Sequence, residues 1–377
     1  MQKRKRIALY LNALAIGGIA RVALNLASGF LAEGIDVDVV LSKREGVYLP
    51  LFEEKKINIV DLGCKSHNAF PILKFSRYIV TQKPNAVIAM GGFQNGVAVF
   101  ARFFSKTNTR LMITDHGVTS YPNLNPRNSF FEKTIIILAY RMFARLSFRF
   151  ADSIVALSQN SADSLTKTAW LGAKRIQVIY NPVVAGELLL NAQRPVAHAW
   201  LQDKSKKIVL AAGRLHPQKD FPTLLKAFHN VRQEMECKLI ILGDGPGKDA
   251  LAELADTLGI TNDLDIVGFV ENPYAYMSKA DVFVSSSINE GLPTVVIEAL
   301  ACGCPVIATN CPGGSSEILQ NGEYGTLVPV GNAAAMGDAI YNVLTGITTY
   351  PREQLLKRAQ DFSLEKAIAN YRKTLNI

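Results

Sequence analysis

The fold is decided by the opening stretch of the chain, residues 7–33, which reads IALYLNALAIGGIARVALNLASGFLAE. The apolar run at 7–11 predicts a buried strand, Gly17-Gly18 a tight turn, and the amphipathic run at 19–33 a helix. The same succession of short apolar runs and longer amphipathic runs continues along the chain. It is typical of parallel sheets covered by helices on both faces, so we predict a doubly wound α/β fold.

One interruption of this pattern predicts two domains. From about 181 to 207 the alternation is lost, because the segment opens with Asn181-Pro182, carries Pro195 and ends in a charged patch, and we place the interdomain linker there. We predict a first Rossmann-like domain over 1–185 and a second over 200–351, followed by an amphipathic stretch at 352–377. The further strands are predicted at 36–41, 86–90, 111–114 and 153–158 in the first domain, and at 207–212, 238–242, 264–267, 282–285 and 305–308 in the second.

Positive charge is concentrated in the first half of the chain. Residues 1–190 hold 24 Lys and Arg against 12 Asp and Glu, whereas residues 191–377 hold 17 against 20. A basic first half is suited to an anionic surface such as phospholipid headgroups or a lipid diphosphate. The alternative is a set of solvated lysines without a partner. Nucleic acid is not expected as a partner, because the interleaving of aromatic and basic residues typical of single-strand binding is missing.

The cysteines and the apolar runs predict a protein that works inside the cell. Five cysteines form no CxxC pair and have no histidine at metal-ligand spacing, so we expect reduced thiols and no metal site. No apolar stretch reaches about 18 residues, the length that would cross a bilayer. We therefore expect a cytoplasmic enzyme. One alternative is that it binds peripherally to the inner face of the cytoplasmic membrane.

Two parallel-sheet domains joined by one linker predict a cleft at the carboxyl ends of both sheets, and this interdomain cleft is the expected active site. Gly17-Gly18 follows the first strand, where backbone without Cβ atoms can approach a phosphate. The dinucleotide pattern G-x-G-x-x-G is not met, so a nicotinamide or flavin cofactor is disfavoured. The alternative for this pair of glycines is a plain tight turn.

Cationic and glycine-rich loops follow two strands of the second domain. Gly213-Arg214 comes directly after the strand at 207–212, and Lys219 follows five residues later; together they can neutralise both phosphates of a diphosphate leaving group without a metal. The alternative is an exposed basic loop. Gly243 and Gly245 lie in a second turn, which fails as a Walker A loop because Asp249 stands where Ser or Thr is needed. We interpret it as a loop that contacts a nucleotide.

The most specific pattern is residues 289–300, which read NEGLPTVVIEAL. Glu290 precedes a loop with Gly291, Leu292 and Pro293, and a helix is predicted to begin near Thr294. Glu298 would then be buried in an apolar helix and would need a strong partner, for which a ribose diol is suitable. The alternative is an internal salt bridge.

One histidine also follows a predicted strand. His116 lies in Asp115-His116-Gly117, directly after the strand at 111–114, which places it at the expected edge of the cleft. A lone histidine is more often structural than catalytic, but this position favours contact with a substrate.

Together with Gly313-Gly314-Ser315-Ser316-Glu317, these motifs resemble glycosyltransferase family 4 over nearly the whole chain. The resemblance implies a GT-B fold, a retaining reaction, no metal or other cofactor, and a C-terminal helix that crosses back onto the first domain. It also implies a site. Arg214 and Lys219 would bind the donor diphosphate, and Gly18 would approach its phosphates through its backbone amide. Glu298 would bind the ribose, and Glu290 and His116 would bind the transferred sugar. The base would be bordered by Gly243, Gly245 and the turn Gly268-Phe269-Val270, and the donor would also be lined by Gly17, Gly213, Gly291, Leu292, Pro293 and Thr294. Many members carry an acidic residue where Ala20 stands, so no role is assigned there.

The expected activity is transfer of a sugar from a nucleotide-diphosphate sugar, with UDP favoured over GDP. The expected acceptor is lipid-linked or a saccharide, as in capsule, O-antigen and lipopolysaccharide assembly. Glu290, His116, Arg214 and Lys219 are the candidate catalytic residues. The alternative function is a non-hydrolysing sugar-nucleotide epimerase of the same architecture.

A basic stripe in the first domain predicts contact with an anionic membrane. Arg141, Arg145 and Arg149 recur every four residues in the stretch 130–150, among apolar residues. The alternative is a helix packed on the sheet.

Overall fold

The computed structural model describes residues 4–15, 17–64, 71–115, 142, 147–169 and 176–377. The chain divides into two compact units. The first comprises Met1–Pro182 together with Leu364–Ile377, and the second comprises Val183–Ser363.

In its described part, the first unit is a seven-stranded parallel sheet with the order β3-β2-β1-β4-β5-β6-β7. Its central strands are apolar on both faces, because helices cover both sides. The strands are β1 (Arg6–Leu11), β2 (Asp36–Leu41), β3 (Asn58–Asp61), β4 (Ala86–Met90), β5 (Arg110–Asp115), β6 (Ser153–Ala156) and β7 (Ile176–Val178). The helices are α1 (Gly18–Ala32), α2 (Leu49–Glu54), α3 (Pro71–Gln82), α4 (Gly92–Ser105) and α5 (Gln159–Ala169).

The second unit is a six-stranded parallel sheet with the order β10-β9-β8-β11-β12-β13. Its core joins alternate residues of β8, β9 and β11 to the apolar faces of the flanking helices. The strands are β8 (Lys207–Ala212), β9 (Cys237–Leu242), β10 (Leu264–Gly268), β11 (Val282–Ser285), β12 (Val306–Thr309) and β13 (Thr326–Val328). The helices are α6 (Gly186–Ala192), α7 (Ala199–Gln202), α8 (Phe221–Glu234), α9 (Lys248–Thr257), α10 (Pro273–Met277), α11 (Thr294–Ala301), α12 (Ser315–Ile318), α13 (Ala333–Leu344) and α14 (Arg352–Ala359), and the short 3-10 turns are Pro217–Lys219, Thr261–Asp263, Gln320–Gly322 and Gln360–Phe362.

The apolar runs located the central strands to within two residues, but three edge strands were missed. β3, β7 and β13 are three or four residues long, and most of their side chains are exposed or half-buried. A strand that buries so little lacks the continuous apolar run on which the prediction depends.

The segment predicted as the linker, 181–207, contains helices over part of its length. The chain leaves the first unit at Pro182, and α6 and α7 form within the segment. α6 packs on α10, where the Asn272 side chain donates to the Asn191 carbonyl at 2.9 Å and the Ser278 hydroxyl donates to the Ala192 carbonyl at 2.7 Å. These contacts make the segment part of the second unit, which therefore begins well before residue 200.

The stretch 352–377 is likewise divided between the units. α14 stays with the second unit, because the buried Arg358 donates to the carbonyls of Ile318 (2.9 Å) and Glu317 (2.7 Å) and pairs with Asp361 at 2.7 Å. Only the last helix, α15 (Leu364–Leu375), belongs to the first unit, where it packs on α1. α15 thus lies in the first unit, and α14 lies in the second.

Candidate active site

The strand order places the candidate donor residues together. In the second sheet the order reverses between β8 and β11, which lie side by side with Val282 paired to Val209. A ligand of an open parallel sheet binds at the carboxyl ends of the strands, at such a switch point. The loops that follow β8 and β11 carry Gly213 to Lys219 and Ser286 to Glu290, so both predicted motifs meet there.

The loop after β8 is shaped by close backbone contact with the loop after β9. The Leu215 amide donates to the Asp244 carbonyl at 2.9 Å, and the Gly247 amide donates to the Leu215 carbonyl at 3.1 Å. Gly243 has φ of +142°, and a Cβ there would lie 1.9 Å from the Gly213 carbonyl oxygen. Glycine at 243 is thus required to bring these two loops together.

Lys219 and Glu290 form an ion pair at this edge. Lys219 Nζ lies 2.5 Å from Glu290 Oε1, and the two side chains are 21% and 10% exposed. The Ser287 hydroxyl donates to the same oxygen at 2.7 Å, and the Ser286 hydroxyl donates to the Lys219 carbonyl at 2.6 Å. Among the described residues, Glu290 Oε2 has no hydrogen-bond partner, so it can accept from a ligand hydroxyl. Lys219 and Glu290 therefore contact each other, although the family resemblance assigns Lys219 to the diphosphate and Glu290 to the transferred sugar.

Arg214 differs from Lys219 because its side chain is exposed. It makes no hydrogen bond or ion pair with another side chain in the part of the chain that the structure describes. Its guanidinium therefore keeps its full set of donors for an anionic ligand.

The Glu290 loop is supported from behind by the glycines that precede α12. The Glu290 amide donates to the Pro312 carbonyl at 3.0 Å. Gly313 has φ of +132°, and a Cβ there would lie 1.8 Å from the Glu290 carbonyl oxygen. The motif at 313–317 thus fixes the backbone of Glu290.

Glu298 lies in the middle of α11, which begins at Thr294 as the sequence predicts, with Pro293 before it. Its side chain is 7% exposed. The Tyr274 hydroxyl donates to its Oε1 at a long 3.4 Å. Burial, with the charge of Glu298 as a second cause, raises the pKa of the nearby Cys302 thiol to about 12. A carboxylate has two oxygens and can accept hydrogen bonds from a pair of ligand hydroxyl groups.

The turn after β10 lies next to these loops. The Gly243 amide donates to the Gly268 carbonyl at 2.7 Å, and Phe269 is 44% exposed. An exposed ring that follows a strand at this edge can stack against a planar base.

The site residues predicted in the first unit are less completely described. Gly17 has φ of +154° and precedes the first turn of α1, which begins at Gly18. His116 lies outside the described residues, as do Arg141 and Arg145 of the predicted basic stripe. Arg149 is described and exposed.

Comparison with known families assigns the chain. Residues 16–186 match the model described as Glycosyltransferase Family 4, and residues 196–361 match the model described as Glycosyl transferases group 1. The chain belongs to glycosyltransferase family 4. This confirms the family resemblance and the expectation of an enzyme.

Relatives and solved structures of this glycosyltransferase agree with the assignment. The chain is 28% identical over 98% of its length, and 94% of the relative's, to the N-acetylgalactosamine-N,N'-diacetylbacillosaminyl-diphospho-undecaprenol 4-alpha-N-acetylgalactosaminyltransferase of Campylobacter jejuni. It is 27% identical to the amylovoran biosynthesis glycosyltransferase AmsD of Erwinia amylovora, over 82% and 81% of the two chains. Its fold is similar to that of Anabaena Alr3699/HepE in complex with UDP-glucose, with a TM-score of 0.78, 20% identity and coverage of 98% and 99%. The GT-B fold class with two Rossmann-like domains is confirmed.

The contacts of this glycosyltransferase include residues that the sequence did not single out. Ser286 and Ser287 bind the backbone of Lys219 and the carboxylate of Glu290, and Tyr274 binds Glu298. The run of serines at 285–287, directly after an apolar strand, was a usable signal, because polar residues at strand ends face the ligand edge. Tyr274 had no such signal, since its contact with Glu298 joins two helices 24 residues apart.

The described residues also bear on metal binding and on membrane spans. No group of three or more His, Cys, Asp or Glu side chains could hold a metal ion in the described part of the chain. Within the same residues, no helix has both the length and the apolar character needed to span a bilayer.

Proposed function

We propose that this glycosyltransferase transfers a sugar from a nucleotide-diphosphate sugar to a lipid-linked or saccharide acceptor with retention of the anomeric configuration. The observation that carries the donor class is the arrangement at the β8–β11 switch point, where Arg214 and Lys219 follow one strand and Glu290 follows the next. A pair of cations beside a carboxylate is suited to a ligand with a diphosphate and a polyhydroxyl group.

The donor nucleotide is proposed to be UDP, with GDP as the alternative. The similar fold of HepE, solved with UDP-glucose, supports this choice. Phe269 would stack on the base, and Glu298 would accept hydrogen bonds from the ribose hydroxyls.

In the proposed reaction, the bond between the anomeric carbon and the diphosphate oxygen breaks while the acceptor hydroxyl oxygen forms its bond on the same face. The hydroxyl proton passes to a departing phosphate oxygen. Arg214 and Lys219 stabilise the charge that develops on the diphosphate, which is the main catalytic contribution expected where no metal takes part. Lys219 must exchange its contact with Glu290 for the diphosphate, and Glu290 is then available to the sugar hydroxyls.

The acceptor is proposed to belong to cell-surface polysaccharide assembly. The Campylobacter jejuni relative is named for an undecaprenol-diphosphate acceptor, and the Erwinia amylovora relative for amylovoran biosynthesis. A lipid-linked acceptor is presented at a membrane, so we also propose that the enzyme acts at the cytoplasmic face of one.

The experiment is a panel of UDP-, GDP- and ADP-sugars incubated with the purified protein and undecaprenyl-diphosphate-linked saccharides. Nucleotide release is followed, and the anomeric configuration of the product is read by NMR. Release from one donor with formation of a glycoside of unchanged configuration supports the proposal. An inverted product contradicts the retaining mechanism, and an isomerised sugar nucleotide without a glycoside indicates the epimerase alternative.

A further inference from the structure

An exposed aromatic and basic surface lies on the first unit. It consists of Phe103 and Phe104 at the end of α4 and Phe150 before β6, with Arg102, Lys106 and Arg149 among them; we call it the Phe103 surface. Its phenylalanines are 75%, 56% and 55% exposed.

The core does not require these rings. The buried face of α4 is formed by residues such as Val97, Ala98 and Ala101, and Phe103 and Phe104 stand outside it. Their rings meet edge to face with centroids 5.7 Å apart. A cluster of large apolar side chains in solvent usually marks a surface that is covered by something else.

Two segments distant in sequence are held together at this surface. The Arg102 guanidinium donates to the Phe150 carbonyl at 3.0 Å and also pairs with Asp152, which in turn accepts from the Leu111 amide at 2.7 Å. These bonds fix the end of α4 against the entry to β6. The phenylalanines are therefore presented by a defined framework.

The charge around the rings has one dominant sign. Arg102, Lys106, Arg110 and Arg149 lie in these segments, where Asp152 pairs with Arg102. An open recess of about 820 Å³ is bordered by Arg102, Phe103, Lys106 and Arg110. Anionic lipid attracts Lys and Arg side chains that lie near the membrane surface. Aromatic rings and basic side chains together are typical of proteins that lie in a membrane interface.

We propose that the Phe103 surface docks on an anionic phospholipid bilayer, with the rings of Phe103, Phe104 and Phe150 in the interfacial region and the basic side chains at the headgroups. This inference rests on the proposed membrane location and names the surface responsible for it. The excess of positive charge in residues 1–190 favours this occupant over a second copy of the chain.

The test is co-sedimentation of the full chain with vesicles of phosphatidylglycerol or of phosphatidylcholine, at low salt and at roughly 0.5 M salt, where the screening length falls to a few ångströms. We expect binding to phosphatidylglycerol that weakens as salt rises. The double change Phe103→Ser with Phe104→Ser should lower the partition coefficient by about tenfold or more, as should Lys106→Glu with Arg149→Glu.

Matched controls come from the second unit. Leu190 and Ile347 are 67% and 70% exposed, and Lys226 and Lys357 are exposed on helices. Leu190→Ser with Ile347→Ser, and Lys226→Glu with Lys357→Glu, should each leave vesicle binding within about twofold of the parent protein if the Phe103 surface is responsible.

A reporter variant measures insertion directly. The Phe104→Trp protein should show a blue-shifted emission on phosphatidylglycerol vesicles, beyond the signal of the parent protein, and quenching by brominated lipid. Unchanged binding in both Phe103-surface variants overturns the proposal, and so does self-association of the parent protein that these variants abolish. Nucleotide release without vesicles reports on the proposed reaction alone, so failure of one proposal is distinguishable from failure of the other.

Discussion

At the scale of single residues, the candidate site depends on how two cations are held. Lys219 is neutralised by Glu290, whereas Arg214 is exposed and makes no such pair within the described residues. In the proposed reaction the two therefore contribute differently: Arg214 would offer its charge to the diphosphate directly, whereas Lys219 would first have to exchange its partner.

Arg214→Ala should lower kcat by about a hundredfold or more, a loss on the order of 3 kcal/mol of transition-state stabilisation, while the donor KM changes less. The measurement is steady-state nucleotide release, with and without EDTA, which should leave the parent activity largely intact. Arg194→Ala removes an exposed arginine elsewhere in the same unit and is the control. Full activity of Arg214→Ala, or loss of parent activity in EDTA that Mg²⁺ restores, would contradict the assignment.

The two glutamates should separate in their kinetic effects. Glu298→Gln keeps the shape but weakens a charge-assisted hydrogen bond to the ribose, so it should act chiefly on the donor KM. Glu290→Gln should act chiefly on kcat. It also removes the anionic partner of Lys219, so the nucleoside diphosphate product should bind more tightly than to the parent protein, as titration calorimetry can measure. Weaker product binding in Glu290→Gln would contradict the exchange of partners by Lys219.

That these residues lie at one edge of the sheet could be predicted, because each lies in a loop that follows a strand. Gly213 and the turn at 268–270 come directly after or at the end of apolar runs, and Glu290 lies in the loop after the run at 282–285. The carboxyl ends of parallel strands form the ligand edge. The ion pair itself was not predictable, because Lys219 and Glu290 are 71 residues apart and meet only through the pairing of β8 with β11.

At the scale of elements, the carboxylate of Asp263 joins α8 to β9 at the edge of the second sheet where its strands begin. Asp263 lies between two cations: Arg232 Nε of α8 at 2.8 Å and Lys238 Nζ of β9 at 2.5 Å. Burial acts to raise the pKa of Asp263, but the hydrogen bonds and charges of Lys238 and Arg232 outweigh it and hold the pKa below its usual value. The folded state therefore binds its proton less readily than the unfolded state.

This arrangement predicts a pH dependence of stability. The stabilisation by Asp263 is complete above its unfolded pKa, near 4, and is lost as the pH falls through the lower folded value. Asp263→Asn should lower the free energy of unfolding at pH 7 by about 1 to 3 kcal/mol. Below about pH 4, the free energy of unfolding should decrease less steeply with falling pH in this variant than in the parent protein. Urea unfolding at a series of pH values measures this. Asp256→Asn, at an exposed position on α9, is the control for loss of one charge. If the free energy of unfolding of Asp263→Asn changed with pH in parallel with that of the parent protein, the prediction would be contradicted.

Element positions were predictable where burial is complete and not where it is partial. β2, β4, β8 and β11 were located without error, because each is mostly apolar and mostly buried. The division of 352–377 could not be predicted, since it depends on Arg358 reaching carbonyls about 40 residues earlier in the chain.

At the scale of the whole molecule, the first unit is built from two separate parts of the sequence. α15 lies on α1, where Phe30 and Tyr371 meet edge to face with ring centroids 6.4 Å apart. Gly29 permits this approach, because a Cβ there would lie 2.7 Å from Ile368 Cγ1.

Gly29→Ala should therefore displace α15 and destabilise the first unit by about 1 to 3 kcal/mol, the usual cost of overpacking. Thermal unfolding followed by circular dichroism measures the loss, and limited proteolysis near residue 364 should become faster. Gly186→Ala, at the start of α6 with no atom within 4 Å of the added methyl group, should be neutral or slightly stabilising. Equal stability of the two variants would show that α15 does not pack as described.

The split first unit has a consequence for synthesis on the ribosome. Residues Val183–Ser363 must be translated between the two parts of that unit, which takes about 10 to 40 seconds at typical elongation rates. During this interval the second unit can complete its sheet while the apolar groove of α1 waits for Tyr371, which is fully buried in the finished protein. The nascent first unit therefore presents an open hydrophobic groove to the chaperones that meet emerging chains, and this groove closes only once α15 has been synthesised.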